Sequence, residues 1–217
     1  MIRRYIYLLL FFALFLVACD SNPPQNRSTA TDQLDASSNY VDTQRFLWQR
    51  PEIVLDLLGD LTDKTIADIG AGYGFFTFRL AEQCSKVIAI DISEEVEDYL
   101  KRNTPPELKE KVEVRLVSPS SPSLAAAEID VAVMVNTYMY LDHRVDYLKK
   151  VHRGLSENGK ILINDFKKKQ TSVGPPYPSR VPLYGVEEEL KRAGFRVLRT
   201  DDTSLEYQYI VVAEKAE

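Results

Sequence analysis

The sequence is poor in the residues that define several common classes of protein. It has two cysteines and two histidines in 217 residues, and they do not cluster at metal-ligand spacing, so we expect no metal site. No Lys/Arg cluster lies among aromatic residues and the formal net charge is −5, so we expect no nucleic-acid partner. The residues that are present, 45% hydrophobic and 27% charged, favour a single globular domain with a sizeable core.

The first residues lack an apolar run long enough to span a membrane, but they have the pattern of a secretory signal. Arg3 and Arg4 precede an apolar run over residues 5–17. The run closes in Leu16-Val-Ala-Cys19, which resembles the lipobox of bacterial lipoproteins. The resemblance implies a signal peptide over residues 1–18 and a lipidated Cys19 that anchors the protein to a membrane. The alternative is an uncleaved membrane anchor.

The residues after Cys19 are polar. Residues 20–38 are rich in Ser, Thr, Asn, Asp, Gln and Pro, a composition that does not offset its own ordering entropy, so we predict a lipidated, flexible tether over residues 19–38. Asp20 resembles the signal that retains lipoproteins in the inner membrane of enterobacteria. We therefore expect a cell-envelope protein on the periplasmic side of the inner membrane rather than at the outer membrane. With Cys19 lipidated, Cys84 has no disulfide partner.

Residues 39–217 form the predicted folded domain, in which short β-rich runs alternate with amphipathic stretches of helical length. The alternation predicts an α/β fold, a doubly wound, Rossmann-like three-layer sandwich with a mostly parallel seven-stranded sheet. The last two strands are too close in sequence for a crossover helix and predict a C-terminal antiparallel hairpin. The predicted strands are 65–69, 86–91, 112–117, 129–136, 160–165, 195–200 and 207–213, and the predicted helices are 52–58, 75–83, 93–103, 143–154 and 184–193.

A glycine-rich turn comes after the first predicted strand. It reads Asp68-Ile-Gly-Ala-Gly-Tyr-Gly74, and its glycines at 70, 72 and 74 let the backbone approach a ligand closely. A dinucleotide fingerprint needs its third glycine one residue later, where the sequence has Phe75. The spacing therefore disfavours a nicotinamide cofactor. The alternative that stays open is an α/β domain in which the glycines only turn the chain and bind no ligand.

This pattern, with Asp91 at the end of the second predicted strand, resembles motif I and its acidic partner in class I S-adenosylmethionine (SAM)-dependent methyltransferases. The resemblance covers about residues 45–214 and is nearest to small-molecule methyltransferases. It implies SAM as the cofactor, with the turn around its methionine moiety, Asp91 on the ribose hydroxyls and Ile92 against the adenine. The implied cofactor-binding residues are Asp68, Gly70, Ala71, Gly72, Gly74, Asp91, Ile92, Ser118 and Asn136.

Three positions depart from the pattern of these enzymes. Ser118 stands where an acid or amide often meets the adenine amino group, and Asn136 stands where Asp is common. Asn158 replaces the first glycine of the turn before the fifth strand, although Asn can adopt the left-handed backbone that such a turn needs. The departures at Ser118 and Asn136 give some support to a domain that binds a ligand without catalysis.

Methyl transfer is an in-line displacement, so the protein has to align donor and acceptor and exclude water, and it requires neither a nucleophile nor a metal. We expect the acceptor pocket to form from residues 40–48, 136–140 and 174–178, which are apolar and aromatic. Packing is the commoner role of aromatic residues at such positions. The candidate catalytic residues in or near these segments are Tyr138, Tyr140 and His143.

The predicted cofactor and the predicted location conflict, because SAM is made in the cytosol whereas a lipobox directs the export of the mature chain. Two hypotheses stay open. The first is a working methyltransferase at the membrane, acting on a small-molecule acceptor such as a lipid, a quinone or another envelope compound. The second is a non-catalytic, membrane-anchored ligand-binding domain that keeps the methyltransferase fold.

Overall fold

The computed structural model describes residues 43–216. The predicted signal peptide, Cys19, the tether and residues 39–42 lie outside the described residues. Between residues 43 and 216, no helix is both long and apolar enough to cross a bilayer. The helices are α1 (Thr43–Gln49), α2 (Pro51–Asp56), α3 (Thr77–Gln83), α4 (Glu94–Asn103), α5 (Arg144–Gly154) and α6 (Leu183–Arg192), and the strands are β1 (Thr65–Ile69), β2 (Lys86–Asp91), β3 (Val112–Leu116), β4 (Ile129–Val135), β5 (Leu155–Phe166), β6 (Phe195–Asp201) and β7 (Gln208–Lys215).

The strands form one seven-stranded sheet in the order β3-β2-β1-β4-β5-β7-β6. Strands β1 to β5 are parallel, whereas β7 is antiparallel to both of its neighbours, β5 and β6. This arrangement confirms the predicted doubly wound α/β fold with its C-terminal antiparallel hairpin. The strand order reverses between β1 and β4, so a crevice opens where the carboxyl ends of these two strands meet.

The core lies on both faces of the sheet, because successive side chains of a strand point to opposite faces. On β4, Ala132 and Met134 pack on the face covered by α5 and α6. Val131, Val133 and Val135 alternate with them and pack on the face covered by α2, α3 and α4. The two clusters complete a three-layer sandwich, in which the loops at the carboxyl edge of the sheet are left to form a site.

Most predicted boundaries agree with the structure to within two residues. Helix α3 begins at Thr77 rather than Phe75, and the carbonyl of Gly74 already accepts a hydrogen bond from the Phe78 N–H at 3.1 Å. Strand β5 begins at Leu155 rather than Lys160, because Leu155 already pairs with Ile129 before the register shifts. Helix α1 was not predicted by the alternation of elements.

Candidate functional site

The turn after β1 has a backbone shape that glycine adopts without strain. Gly70, Gly72 and Gly74 have φ angles of 79°, 51° and 86°. A Cβ on Gly70 would lie 2.1 Å from Thr137 Oγ1, so this position needs glycine for the close approach of the segment after β4. A Cβ on Gly72 would meet no atom within 4 Å. The turn therefore packs tightly at Gly70 and faces open space at Gly72, where a ligand has room.

Asp91, at the end of β2, holds this turn in place. Its Oδ2 accepts a hydrogen bond from the Gly72 N–H at 3.0 Å, and its Oδ1 accepts from the N–H groups of Ile92 and Ser93 at 2.8 and 3.1 Å. A carboxylate has about four acceptor positions, so one stays available for a ribose hydroxyl. Contact with both hydroxyls requires the release of one backbone bond. Asp91 thus joins the ends of β1 and β2 into one wall.

A largely apolar cavity of about 280 Å³ opens at these strand ends. Gly70 and Asp91 lie in its wall, with Ile92 and Tyr140, which expose 60% and 67% of their surface. Asp91 is the one acidic or basic residue in this lining, so the wall suits a planar base against aliphatic and aromatic side chains with a hydroxylated sugar at the carboxylate. The other lining residues are Ile69, Ile90, Val117, Pro119, Thr137, Leu141 and Tyr147.

Asp68 and Ala71 lie behind the turn rather than in the cavity wall. Asp68 is 2% exposed, and its Oδ2 accepts a hydrogen bond from Thr77 Oγ1 at 2.6 Å. Burial raises the pKa of Asp68 to about 6. Ala71 packs into the core and donates its N–H to the carbonyl of Ile90 at 3.1 Å. These residues fix the path of the turn and the start of α3, so they act on a ligand through the backbone.

Ser118 and Asn136 also lie outside the cavity lining. At Ser118 the wall is formed by its two neighbours, Val117 and Pro119. Asn136 has a left-handed φ of 58°, and its Oδ1 accepts a hydrogen bond from Nε2 of Gln208 on β7. Asn136 therefore reaches toward the C-terminal hairpin instead of the cofactor cavity.

The structure separates the three candidate catalytic residues. Tyr138 is fully buried and donates its hydroxyl to Glu189, which also pairs with Arg144 at 2.8 Å. Burial raises the pKa of Tyr138. Tyr140 stands in the cavity wall, whereas the exposed His143 precedes α5 with a φ of 48° and lines a neighbouring depression. Of the three, Tyr140 is the one that faces the cavity.

Two residues of this region were not singled out by motif reasoning, although Thr137 belongs to the segment 136–140 expected around the acceptor. Thr137 lines the cavity and packs against Gly70. Asp165, near the end of β5, is 1% exposed and accepts hydrogen bonds from the N–H groups of Met139 at 3.1 Å and Phe166 at 2.7 Å. Burial raises the pKa of Asp165 to about 7. Its signal in the sequence was an acid that ends a buried strand, the same pattern as Asp91, and it fixes the turn that presents Tyr140.

Two of the three segments expected around the acceptor, 40–48 and 174–178, meet at the ring of Phe166. The Trp48 ring of α1 lies 5.6 Å from it, and the Arg180 guanidinium lies 5.1 Å from it. Arg180 is 3% exposed, and its guanidinium donates to four carbonyls in the loop after β5. Helix α1 and this loop therefore flank one side of the carboxyl edge. The accepting carbonyls are those of Lys167, Lys169, Val173 and Pro175.

The chain has the α/β fold of class I SAM-dependent methyltransferases, and its switch-point crevice, glycine turn and Asp91 carboxylate resemble the cofactor site of that class. SAM is the cofactor of this class, and the residues present fit it: open space at Gly72, a carboxylate with a remaining acceptor position, and an apolar wall. Across residues 43–216 no group of three or more His, Cys, Asp or Glu is placed to hold a metal ion.

Comparisons with known proteins point to the same class. Residues 67–163 match the family model described as a methyltransferase domain. This segment runs from the glycine turn through β4 and into β5. A structure described as a SAM-dependent methyltransferase from Aquifex aeolicus is 28% identical, with a TM-score of 0.75 over 83% of this chain and 98% of that chain.

Two curated relatives match shorter segments. A magnesium-protoporphyrin O-methyltransferase from Rhodobacter capsulatus is 35% identical over 81 residues, which are 37% of this chain and 35% of the relative. A phosphoethanolamine N-methyltransferase from Triticum aestivum is 29% identical over 138 residues, which are 61% of this chain and 26% of the relative. The chain therefore spans only about a third and a quarter of the lengths of these relatives.

Proposed function

We propose that this protein is a SAM-dependent methyltransferase that acts on a small-molecule acceptor at a membrane. The observation that carries the proposal is the hydrogen bond from the Gly72 N–H to the Asp91 carboxylate, at the edge of an apolar cavity. This bond joins the glycine turn to Asp91, the acid that we propose binds the ribose, and the open space beside them supports a nucleoside ligand with a charged side chain. The fold and the match of residues 67–163 to a methyltransferase domain also support the proposal.

When it is bound, SAM supplies an electrophilic methyl group. A lone pair of the acceptor would form the new bond to the methyl carbon while the carbon–sulfur bond breaks and sulfur keeps its electron pair. The acceptor's proton would then leave to water. The residues of the protein would orient the donor and the acceptor and enclose them away from water. The turn from Gly70 to Gly74 and the neighbouring Thr137 would enclose the methionine moiety, and Asp91 would hold the ribose. Tyr140 and Ile92 would shield the adenine from water.

The chemistry of the acceptor is proposed from the names of the relatives. One is an O-methyltransferase of magnesium-protoporphyrin and the other an N-methyltransferase of phosphoethanolamine. A hydroxyl or an amine is therefore the acceptor group that we propose. The aromatic residues Trp48 and Phe166 beside the site favour an acceptor with apolar or planar parts.

The location is proposed from the N-terminal sequence. The resemblance of residues 16–19 to a lipobox supports a lipid on Cys19, and Asp20 favours retention in the inner membrane on its periplasmic side. Acyl chains contribute about 0.8 kcal/mol per buried methylene to such an anchor. A membrane-held enzyme would meet lipidic and quinone acceptors directly.

The proposal is tested by transfer of labelled methyl from SAM into compounds extracted from bacterial membranes. We expect incorporation with the parent protein and a loss of at least about tenfold with Asp91→Asn, because the amide removes the charge that orders the turn. Asp98→Asn, an exposed acid on α4, is the matched control and keeps the parent rate. Equal rates for the two variants would refute the role of Asp91.

The second candidate function is a domain that binds SAM or a related nucleoside without transferring the methyl group. It is favoured by the cavity lining, in which Asp91 is the one acidic or basic residue, so the wall holds no separate general base. Binding of SAM by calorimetry together with no methyl incorporation into any membrane fraction would select this function over the first.

A further inference from the structure

Three fully buried amide side chains lie at the carboxyl edge of the sheet, and each has one atom that makes no hydrogen bond. Gln49, Asn164 and Gln208 are all 0% exposed. The unpaired atoms are Nε2 of Gln49 and two oxygens, Oδ1 of Asn164 and Oε1 of Gln208. Buried polar groups without a partner are rare in native proteins, because removing them from water is not compensated.

These amides are connected to the cofactor cavity through Asn136. Gln208 donates its Nε2 to Asn136 Oδ1, and the N–H of Asn136 donates to the carbonyl of Asn164 at 2.9 Å. Asn136 directly precedes Thr137, which lines the cavity and packs against Gly70. Asn136 therefore connects Gln208 to Thr137, the residue that packs against the glycine turn.

The amides face one side of the sheet. Asn164 is paired with Ile210 and Phe166 with Gln208 in the antiparallel ladder of β5 and β7, so the side chains of Asn164 and Gln208 leave the same face. Ile210 belongs to the core cluster on that face, together with Phe75.

Helix α1 comes to this face with Gln49. The Arg45 guanidinium lies 4.1 Å from the ring of Phe75, and the Nε of Arg45 donates to Oε1 of Gln49 at 2.6 Å. The first described helix thus lies at the carboxyl edge of the sheet, in contact with Phe75 and Phe166. Because all three amides are 0% exposed, a ligand reaches these atoms only when the residues that cover them move aside.

We propose that Gln208, oriented by Asn136 and joined by Gln49 from α1, binds the methyl acceptor through a hydrogen-bond-donating group, a hydroxyl or an amine. The inference rests on the proposed function and deepens it by naming the acceptor-binding residues. Oε1 of Gln208 accepts the hydrogen of the nucleophilic oxygen or nitrogen, which leaves a lone pair of the same atom free to face the methyl carbon. The amide oxygen does not remove the proton, which passes to water after transfer.

The chemistry of the unpaired atoms excludes other acceptors at this position. Two of the three atoms are acceptor oxygens, Oδ1 of Asn164 and Oε1 of Gln208, so the complementary ligand group must donate. A carbon nucleophile or a thioether offers no hydrogen and would leave both oxygens unpaired. A site built to pair with an O–H or N–H group rejects an analogue that lacks it.

The experiment begins with the binding of S-adenosylhomocysteine, which tests the proposed function separately from the proposed role of Gln208. We expect the parent, Gln208→Met and Gln83→Met to bind it equally, since Gln208 lies outside the cofactor cavity and Gln83 is exposed on α3. If the parent does not bind it, the proposed function fails. The next measurements then use the full chain saturated with S-adenosylhomocysteine.

Hydroquinone and ethanolamine are the donor probes, and 1,4-dimethoxybenzene is the matched compound that lacks a donor. We expect hydroquinone or ethanolamine to shift the side-chain amide NMR signals of Gln208 and Gln49, with about tenfold weaker binding to Gln208→Met and parent-like binding to Gln83→Met. The dimethoxy compound should shift none of these signals. The absence of a shift with both donor probes, or equal binding of donor and non-donor probes, would overturn the proposal.

Discussion

At the scale of single residues, Gly70 and Gly59 share a left-handed backbone, with φ of 79° and 76°, but differ in their surroundings. A Cβ on Gly59 would meet no atom within 4 Å, whereas one on Gly70 would lie 2.1 Å from Thr137 Oγ1. We expect Gly59→Ala to lower the free energy of unfolding by about 1 kcal/mol and Gly70→Ala by about 4 kcal/mol. Urea denaturation measures both, and equal losses would contradict the close approach at Gly70.

Asp165 gives the stability of the protein a pH dependence. Burial raises its pKa from 3.8 to about 7 in the folded state, so folding favours the protonated form. The stabilisation is complete below pH 3.8 and is lost as the pH rises toward 7, a loss of about 4 kcal/mol. Asp165→Asn should flatten the decline in unfolding free energy between pH 4 and 7, and the exposed Asp98→Asn should not. A decline as steep as that of the parent would contradict the assignment.

The sequence predicted best those residues that act through their backbone conformation or through their position at the end of a strand. The spacing of glycines and the acid at the end of β2 located Gly70, Asp91 and Ile92 in the cavity wall. It did not decide which side chains of the neighbouring loops face the cavity. At Ser118 the loop turns its neighbours inward instead, and the side chain of Asn136 turns to Gln208 on a strand 72 residues away. Such orientation depends on contacts between distant segments, which local patterns do not contain.

At the scale of elements, the loop between β5 and α6 is held by Arg180. Its buried guanidinium donates to four carbonyls of the same loop. A lysine ammonium has three donors and no planar fork, so Arg180→Lys should leave carbonyls unpaired and loosen the loop. We expect trypsin to cut the loop about tenfold faster in this variant than in Arg153→Lys, whose arginine is exposed. Equal cleavage rates would show that Arg180 does not order the loop.

The sequence also predicted which segments form helices and strands better than it predicted which elements lie side by side. The hairpin was predicted from the short connection before β7, but the placement of β7 between β5 and β6 was not, because strand order depends on pairing across the sheet. Helix α1 was missed because seven residues without a strong helical pattern are stabilised mainly by tertiary contacts. The Trp48 ring contacts Phe166 and Tyr207, at 5.6 and 6.4 Å.

At the scale of the whole molecule, the proposed lipid anchor would hold the protein at a membrane, where we propose that its acceptor lies. Cys19→Ser removes the thiol that the lipobox resemblance assigns to acylation. We expect the variant to leave the membrane fraction or to keep its signal peptide, which a change in mass detects. Cys84→Ser, a buried cysteine of the folded domain, is the control and should stay in the membrane fraction. A variant at position 19 with unchanged mass and unchanged partitioning would reject the anchor.

The central claim is that the glycine turn and Asp91 form a SAM site, and calorimetry with S-adenosylhomocysteine tests it most directly. We expect the parent protein to bind one equivalent, and Asp91→Ala to bind at least about tenfold more weakly, because the ribose loses its acceptor and the Gly72 N–H loses its partner. Asp98→Ala should bind as the parent does. No binding by the parent, or unchanged binding by Asp91→Ala, would contradict the account.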